Sequence, residues 1–239
     1  MKRHELAKLI DHTLLKPEAS VFDARTLTLE ALDAGCASAC VNPNRVAVVR
    51  DILAESLTRT CSVIGFPFGV SPTEVKVRET ELVAALGADE FDMVIDFGKL
   101  REGDTVSVGS DVAAVRAATP PGTILKVILE TAVLTPAQIH LGCLIAEAAG
   151  ADFVKTSTGF HPAGGASVAT VELMRRVVPN LGVKASGGIR DLRTALQMLD
   201  AGATRLGMST TLAVLGELPS GDSVSGSRCE AEVNIRLIA

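Results

Sequence analysis

Three lysines stand inside short apolar runs of this chain: Lys126 in Ile-Leu-Lys-Val-Ile-Leu-Glu, Lys155 in Asp-Phe-Val-Lys-Thr-Ser-Thr-Gly and Lys184 in Gly-Val-Lys-Ala-Ser-Gly-Gly. Lysine is almost never fully buried without a partner. Amines at such positions therefore belong either to an ion-pair network or to a reaction. A lysine at the reference pKa of roughly 10.4 is free base in only about one molecule in 2,500 at pH 7, and desolvation or a neighbouring ammonium raises that fraction. A free amine can attack an aldehyde or ketone to form a Schiff base. The resulting iminium is an electron sink for breaking or making the adjacent carbon–carbon bond.

A second group of residues suits an anion. Ser186-Gly187-Gly188-Ile189-Arg190 follows the Lys184 run, Gly207-Met208-Ser209-Thr210 follows the last apolar run, and Thr158-Gly159 follows Lys155. Glycines let backbone N–H groups approach a phosphate closely, and a following helix N-terminus adds a favourable dipole. Taken singly, a Gly-Gly turn is ordinary loop punctuation. Other chemistries find little support. The five cysteines (Cys36, Cys40, Cys61, Cys143, Cys229) contain no CxxC pair and the four histidines no HxH or HExxH spacing, so neither a disulfide scaffold nor a metal site is expected. Cys36 and Cys143 read as core thiols, Cys40 as a thiol that could face the interior and meet aldehydes, and His12 as a hydrogen-bonded structural residue. With no Tyr or Trp, tyrosine acid–base chemistry is excluded.

The net charge of −5 argues against sequence-independent nucleic-acid binding, which needs a basic field. There is no run of roughly 18–20 apolar residues to span a bilayer and no signal-peptide pattern at Met1–Glu5, so a cytoplasmic protein without a membrane partner is expected.

The elements that must hold these residues alternate. Strands are expected at 9–13, 38–42, 62–66, 91–95, 124–130, 153–156, 182–186 and 204–207, with amphipathic stretches between them. Ser71-Pro72-Thr73-Glu74 reads as cap, first-turn proline and capping-box acid; Thr135-Pro136 and Ser20 with Asp23 offer two further helix starts. Gly35, Gly87, Gly150 and Gly202, preceded by Ala34, Leu86, Ala149 and Ala201, mark helix ends. Eight alternations fit an α/β chain forming a single-domain (β/α)₈ TIM barrel over 1–216, followed by a flexible polar C-terminal tail over 217–239. An open doubly wound sheet fits the alternation too, although no GxGxxG follows the first strand.

Side-chain parity sharpens the barrel reading. If Lys126 points inward, so do Ile128 and Glu130, while Leu125, Val127 and Leu129 face the helices. Lys155, Lys184 and Asp92 obey the same rule in their own strands. One barrel interior is thus expected to hold Asp92, Lys126, Glu130, Lys155 and Lys184: three lysines against two carboxylates. A structural ion-pair plug is the simpler reading; the surplus cation is what favours chemistry.

Val-Lys-Thr-Ser-Thr-Gly-Phe at Lys155, followed by Val-Lys-Ala-Ser-Gly-Gly-Ile-Arg at Lys184, resembles the signature pair of the deoxyribose-phosphate aldolases. Ile10–Pro17, Asp92–Ile95 and Leu125–Thr131 support the resemblance, which runs from about residue 5 to 216. It implies a cofactor-free class I aldolase that cleaves 2-deoxy-D-ribose 5-phosphate reversibly to D-glyceraldehyde 3-phosphate and acetaldehyde. By that resemblance Lys155 is the Schiff-base lysine, Lys184 perturbs it and shares in proton transfer, and Asp92 is the proton donor and acceptor. The phosphate would sit on Gly159, Gly187, Gly188, Gly207 and Ser209, and a homodimer is the implied assembly. Four features depart from the family pattern: Asp96 where Asn is common, His161-Pro162 in a usually glycine-rich loop, Met208 in the last phosphate turn, and a tail without tyrosine. Another phosphosugar barrel, lyase or isomerase, and a catalytically dead barrel are the competing readings.

Overall fold

In the computed structural model, residues 1–218 are described. The expected tail lies outside them, apart from Glu217 and Leu218, and so does Cys229. Eight strands form a closed parallel barrel in sequence order, β1 (Ile10–Leu14), β2 (Ser38–Val41), β3 (Arg59–Ile64), β4 (Glu90–Val94), β5 (Ile124–Ile128), β6 (Phe153–Lys155), β7 (Gly182–Ser186) and β8 (Arg205–Met208). Closure is made by β8 pairing with β1, Asp11 opposite Gly207. This is the (β/α)₈ barrel, and the open sheet is excluded. The surrounding helices are α1 (Arg3–Ala7), α2 (Val21–Ala34), α3 (Val46–Leu53), α4 (Thr73–Ala85), α5 (Phe97–Glu102), α6 (Thr105–Ala118), α7 (Pro136–Ala148), α8 (Val168–Val177), α9 (Leu192–Asp200) and α10 (Thr211–Gly216). No helix among the described residues is long and apolar enough to cross a membrane.

Local chemistry sets most of the boundaries. Ser20 and Asp23 form a reciprocal capping box at α2, as do Thr135 and Gln138 at α7, where Pro136 occupies the first turn. Gly35, Gly87, Gly150 and Gly202 all take left-handed backbone angles beyond helix ends, which a side chain would resist. The expected cap at Ser71 is not formed. Pro72 is still extended (φ −53°, ψ 149°), so α4 begins one residue later and Ser71 makes no capping bond.

The apolar core lies between the sheet and the helices. Leu125, Val127 and Leu129 of the β5 segment, Phe91, Met93 and Ile95 along β4, and Val154, Val183 and Leu206 of the next strands all face outward into it. His12 on β1 faces outward as well, its Nε2 2.9 Å from Glu30 on α2. Cys36 and Cys143 are core thiols, and burial pushes each up to about 12. Inside the barrel the filling is different. A small apolar group around Leu15, Cys40, Cys61 and Val63, together with Val94 and Ile128, shares it with a set of buried charges.

The lower part of that interior joins Asp11, Glu90 and Arg205. An Arg205 Nη sits 2.5 Å from Asp11 and 3.2 Å from Glu90, with its guanidinium 5.4 Å over the Phe153 ring. Burial opposes charge on Asp11, but Lys126, Lys184 and Arg205 outweigh it and hold the carboxyl well below its usual range. A carboxylate depressed in the folded state adds stability above its unfolded pKa of roughly 3.9, and that stability is lost as the pH falls below it. Chemical denaturation should therefore give a stability that drops steeply below about pH 4, with a shallower acid limb in Asp11→Asn. Equal slopes in the two proteins would contradict this assignment.

Candidate active site

Asp92, on β4, is the centre of the upper interior. Its carboxylate accepts from three ammoniums: Lys126 Nζ at 2.8 Å on Oδ1, and Lys155 Nζ at 2.8 Å and Lys184 Nζ at 2.6 Å on Oδ2. Register explains the convergence. Asp92 pairs with Lys126 across β4–β5, and Lys155 pairs with Lys184 across β6–β7, so inward side chains of four strands meet on one axis. Burial works against the charge of Asp92, yet the three lysines hold its carboxyl well below the usual range. Burial likewise opposes charge on Lys126 and Lys184. Asp11 and Asp92 nevertheless hold both firmly protonated, and Glu90, 2.6 Å from Lys126, adds to this.

The three lysines are not equivalent. Lys126 reaches Asp11, Glu90 and Asp92, and Lys184 reaches Asp11 and Asp92. Among the described residues Lys155 pairs with one carboxylate, Asp92, sharing one oxygen with Lys184. Lys155 is therefore the least ion-paired of the three. Lys155 is also the one of the three that lines the cleft at the C-terminal mouth of the barrel, a cavity of about 380 Å³; Asp92 and Lys184 lie fully buried beneath it.

Gly159, Gly187, Gly188, Gly207 and Ser209 all line that cleft together with Lys155. The backbone N–H groups of Gly159, Gly187 and Gly188 make no hydrogen bond to other described residues, so all three remain available to an anion. Gly207 has an additional reason to lack a side chain: a Cβ there would lie 2.9 Å from Lys184 Cε. The Gly187-Gly188 turn does not open directly into a helix, whereas the Gly207–Thr210 turn does, Thr210 being the N-cap residue of α10. Asp191 caps α9 through Thr194 N–H, and α9 starts four residues after Gly188. Two rim cations, Lys16 and Arg190, also line it, as do Thr13, Thr158, Ser186 and Met208. Sequence reasoning quoted the Lys16 and Arg190 segments without assigning either residue to the site, although a cation in each motif beside a glycine cup was a usable signal.

The interior differs from the expected set at five residues. Glu130 is not in the charge network; β5 ends at Ile128, and the Glu130 carboxylate bonds Thr158 instead. Asp11, Glu90 and Arg205 were missed. Among the described residues the buried set is therefore three carboxylates against four cations, with the exposed Arg59 also reaching Glu90, and a cationic surplus remains. Cys61 also enters, its Sγ 3.4 Å from both Asp92 Oδ1 and Lys126 Nζ, because β3 begins at Arg59 rather than Ser62. Cys40 is buried beside it, its register partner on β2. Cys40, Cys61 and Asp92, or Asp11, Cys61 and Glu90, bring three metal-capable atoms within 4.8 Å of one another. Asp11, Cys61 and Glu90, and Cys61 and Asp92 of the other set, already surround the Lys126 ammonium, so these donors are matched to an amine.

The departures from the family pattern have local explanations. Met208 packs outward into the core at 4% exposure. Asp96 caps α5, accepting from Lys99 N–H at 3.0 Å. His161 packs edge-on to Phe97 and accepts from Ala163 N–H.

Residues 6–216 match the model of the DeoC/LacD family aldolases. The deoxyribose-phosphate aldolase of Kocuria rhizophila is 52% identical over 219 residues, covering 91% of this chain and 99% of that protein. That of Corynebacterium diphtheriae is 50% identical over 217 residues, covering 90% and 98%. The tetrameric deoxyribose phosphate aldolase structure from Aeropyrum pernix superposes with a TM-score of 0.83 at 36% identity, covering 90% of this chain and 91% of that one. A lysine-lined cleft on a barrel whose sequence matches this model from end to end leaves one assignment: the chain belongs to the DeoC/LacD family of aldolases.

Proposed function

We propose that this chain is a class I deoxyribose-phosphate aldolase, cleaving 2-deoxy-D-ribose 5-phosphate reversibly to D-glyceraldehyde 3-phosphate and acetaldehyde, with Lys155 as the Schiff-base lysine. The observation that carries the reading is the position of Lys155: an amine tied to one shared carboxylate, on the floor of a cleft rimmed by uncommitted glycine N–H groups and two cations. In the cleavage direction the neutral Lys155 amine adds to the aldehyde carbon of the sugar, and loss of water gives the iminium. The C3 hydroxyl gives up its proton as the C2–C3 bond breaks, releasing glyceraldehyde 3-phosphate; the electron pair is held as an enamine on Lys155. Protonation of that enamine carbon and hydrolysis return the amine and acetaldehyde.

The proton traffic follows from the charges. Asp92 is held ionised, so it serves as an acceptor and as the anchor of the lysine cluster. Lys184 is held as an ammonium 2.6 Å from the oxygen that Lys155 uses, where it places positive charge beside the reacting amine and donates hydrogen bonds to oxygens formed there. Lys126 and Asp11 fix the other two faces of this cluster. The phosphate is assigned to Gly159, Gly187, Gly188, Gly207 and Ser209, with Lys16 and Arg190 supplying charge at the rim. A cytoplasmic setting is supported by the unpaired buried thiols Cys36, Cys40, Cys61 and Cys143.

Borohydride reduction in the presence of acetaldehyde and EDTA, followed by peptide mass mapping, should leave a two-carbon adduct on Lys155 that is absent from Lys155→Ala. An adduct mainly on Lys126, or dependence of trapping on a chelatable metal, would sink the mechanism. Turnover of deoxyribose 5-phosphate should far exceed that of fructose 1,6-bisphosphate, which separates this reading from other phosphosugar barrels. Lys184→Leu should lose roughly a hundredfold or more in kcat as the ammonium beside the reacting amine disappears. A homodimer is the proposed assembly, supported by exposed Phe68, Val70, Val75 and Leu82 on and beside α4; light scattering at micromolar concentration should give twice the chain mass.

A further inference from the structure

We propose that Glu130 is the positioning residue of the phosphate-binding turn, a role that rests on the aldolase reading above. The backbone supplies the first observation. Leu129 N–H bonds Lys155 C=O at 3.0 Å, and Thr131 N–H bonds the very next carbonyl, Thr156 C=O, at 2.9 Å. Two residues of the β5 segment are thus matched to one of β6, and Glu130 is the extra residue of a bulge. Its φ of +57° and ψ of +58° make it the one non-glycine residue with left-handed φ among those described. Bulges of this kind re-aim a side chain, and a glutamate held in such a conformation is strained. Glycine would fit the backbone better.

What the glutamate gains is a pair of hydrogen bonds to the next loop. Glu130 Oε2 accepts from Thr158 N–H at 3.2 Å and from Thr158 Oγ1–H at 2.5 Å. Thr158 Oγ1, its proton committed to Glu130, accepts in turn from Phe160 N–H at 3.1 Å. Two of the three successive N–H groups of the turn are tied to this chain of bonds. The third, that of Gly159, is left free in a residue that lines the cleft. Glu130 is 1% exposed, contacts no cation among the described residues, and its Oε1 has no hydrogen-bond partner there. A purely structural carboxylate in such a place would be costly to keep, because buried charges are ordinarily paired. The strained backbone and the uncompensated burial both serve the Thr158–Phe160 turn.

Substitution can separate the clamp from the strain. Glu130→Gly relieves the left-handed backbone, so its melting temperature should not fall below that of the unsubstituted chain, whereas Glu130→Ala keeps the strain and loses the clamp. In both, KM for deoxyribose 5-phosphate should rise roughly ten- to a hundredfold, and by far more than KM for unphosphorylated 2-deoxyribose, with kcat changing much less. Thr158→Val should reproduce the KM defect, and Thr158→Ser, which restores the hydroxyl, should recover most of it. A folded Glu130→Gly with unaltered KM for the phosphorylated sugar, or equal losses on both sugars, overturns the proposal. If the unsubstituted enzyme does not distinguish the phosphorylated sugar from the free one, the phosphate cup itself is overturned, and that result is visible before any variant is made.

Discussion

A single carboxylate shared by three ammoniums organises this molecule. Asp92 is fully buried, so its charge is tolerable only because Lys126, Lys155 and Lys184 surround it, and each of those lysines is tolerable only because of Asp92 and its companions. The unequal sharing creates the functional difference. Lysines with two or three carboxylates are fixed as ammoniums, while the one with a single shared oxygen faces the cleft. The burial that makes the cluster costly also shields it from water, so each charge acts on its neighbours at close to full strength.

Much of this was legible in the sequence, because a barrel strand imposes a period of two. Placing Lys126 inward fixed Leu125, Val127 and Leu129 outward, and the core holds all three. The residues that sequence reading misses have two causes. Glu90 and Arg59-Thr60-Cys61 stand at strand beginnings, where a polar residue looks like loop, so β4 and β3 begin before their apolar runs and their first inward side chains are lost, whereas Asp11 lies within an expected strand and lacks only a visible partner. Arg205 lay in an expected strand, but its partners Asp11 and Glu90 were not yet on the barrel axis. Glu130 failed for another reason: a one-residue bulge reverses the parity after it, and neither composition nor spacing announces a left-handed glutamate.

On the proposed reading, the cleft gives an acidic protein a local place for an anion. Net charge is a property of the whole surface, whereas the cup combines glycine N–H groups, Lys155 below, and Lys16 and Arg190 at the rim. The positions that departed from the family pattern leave this arrangement intact. Met208 belongs to the core, Asp96 to a helix cap and His161 to a ring contact with Phe97, so each is accounted for by packing or capping.

The barrel interior also bears on how the chain reaches its native state. Asp11 meets Lys184 and Arg205 across sequence separations of 173 and 194 residues, and β1 has no second neighbour until β8 arrives. A chain emerging from the ribosome can pack its early strands and helices. It cannot neutralise Asp11, Glu90 and Lys126 together before the last strand is available, and a half-built barrel would bury charges without their partners. Electrostatics thus penalises partial closure, so assembly of the final strand and completion of the reactive amine cluster become a single cooperative event.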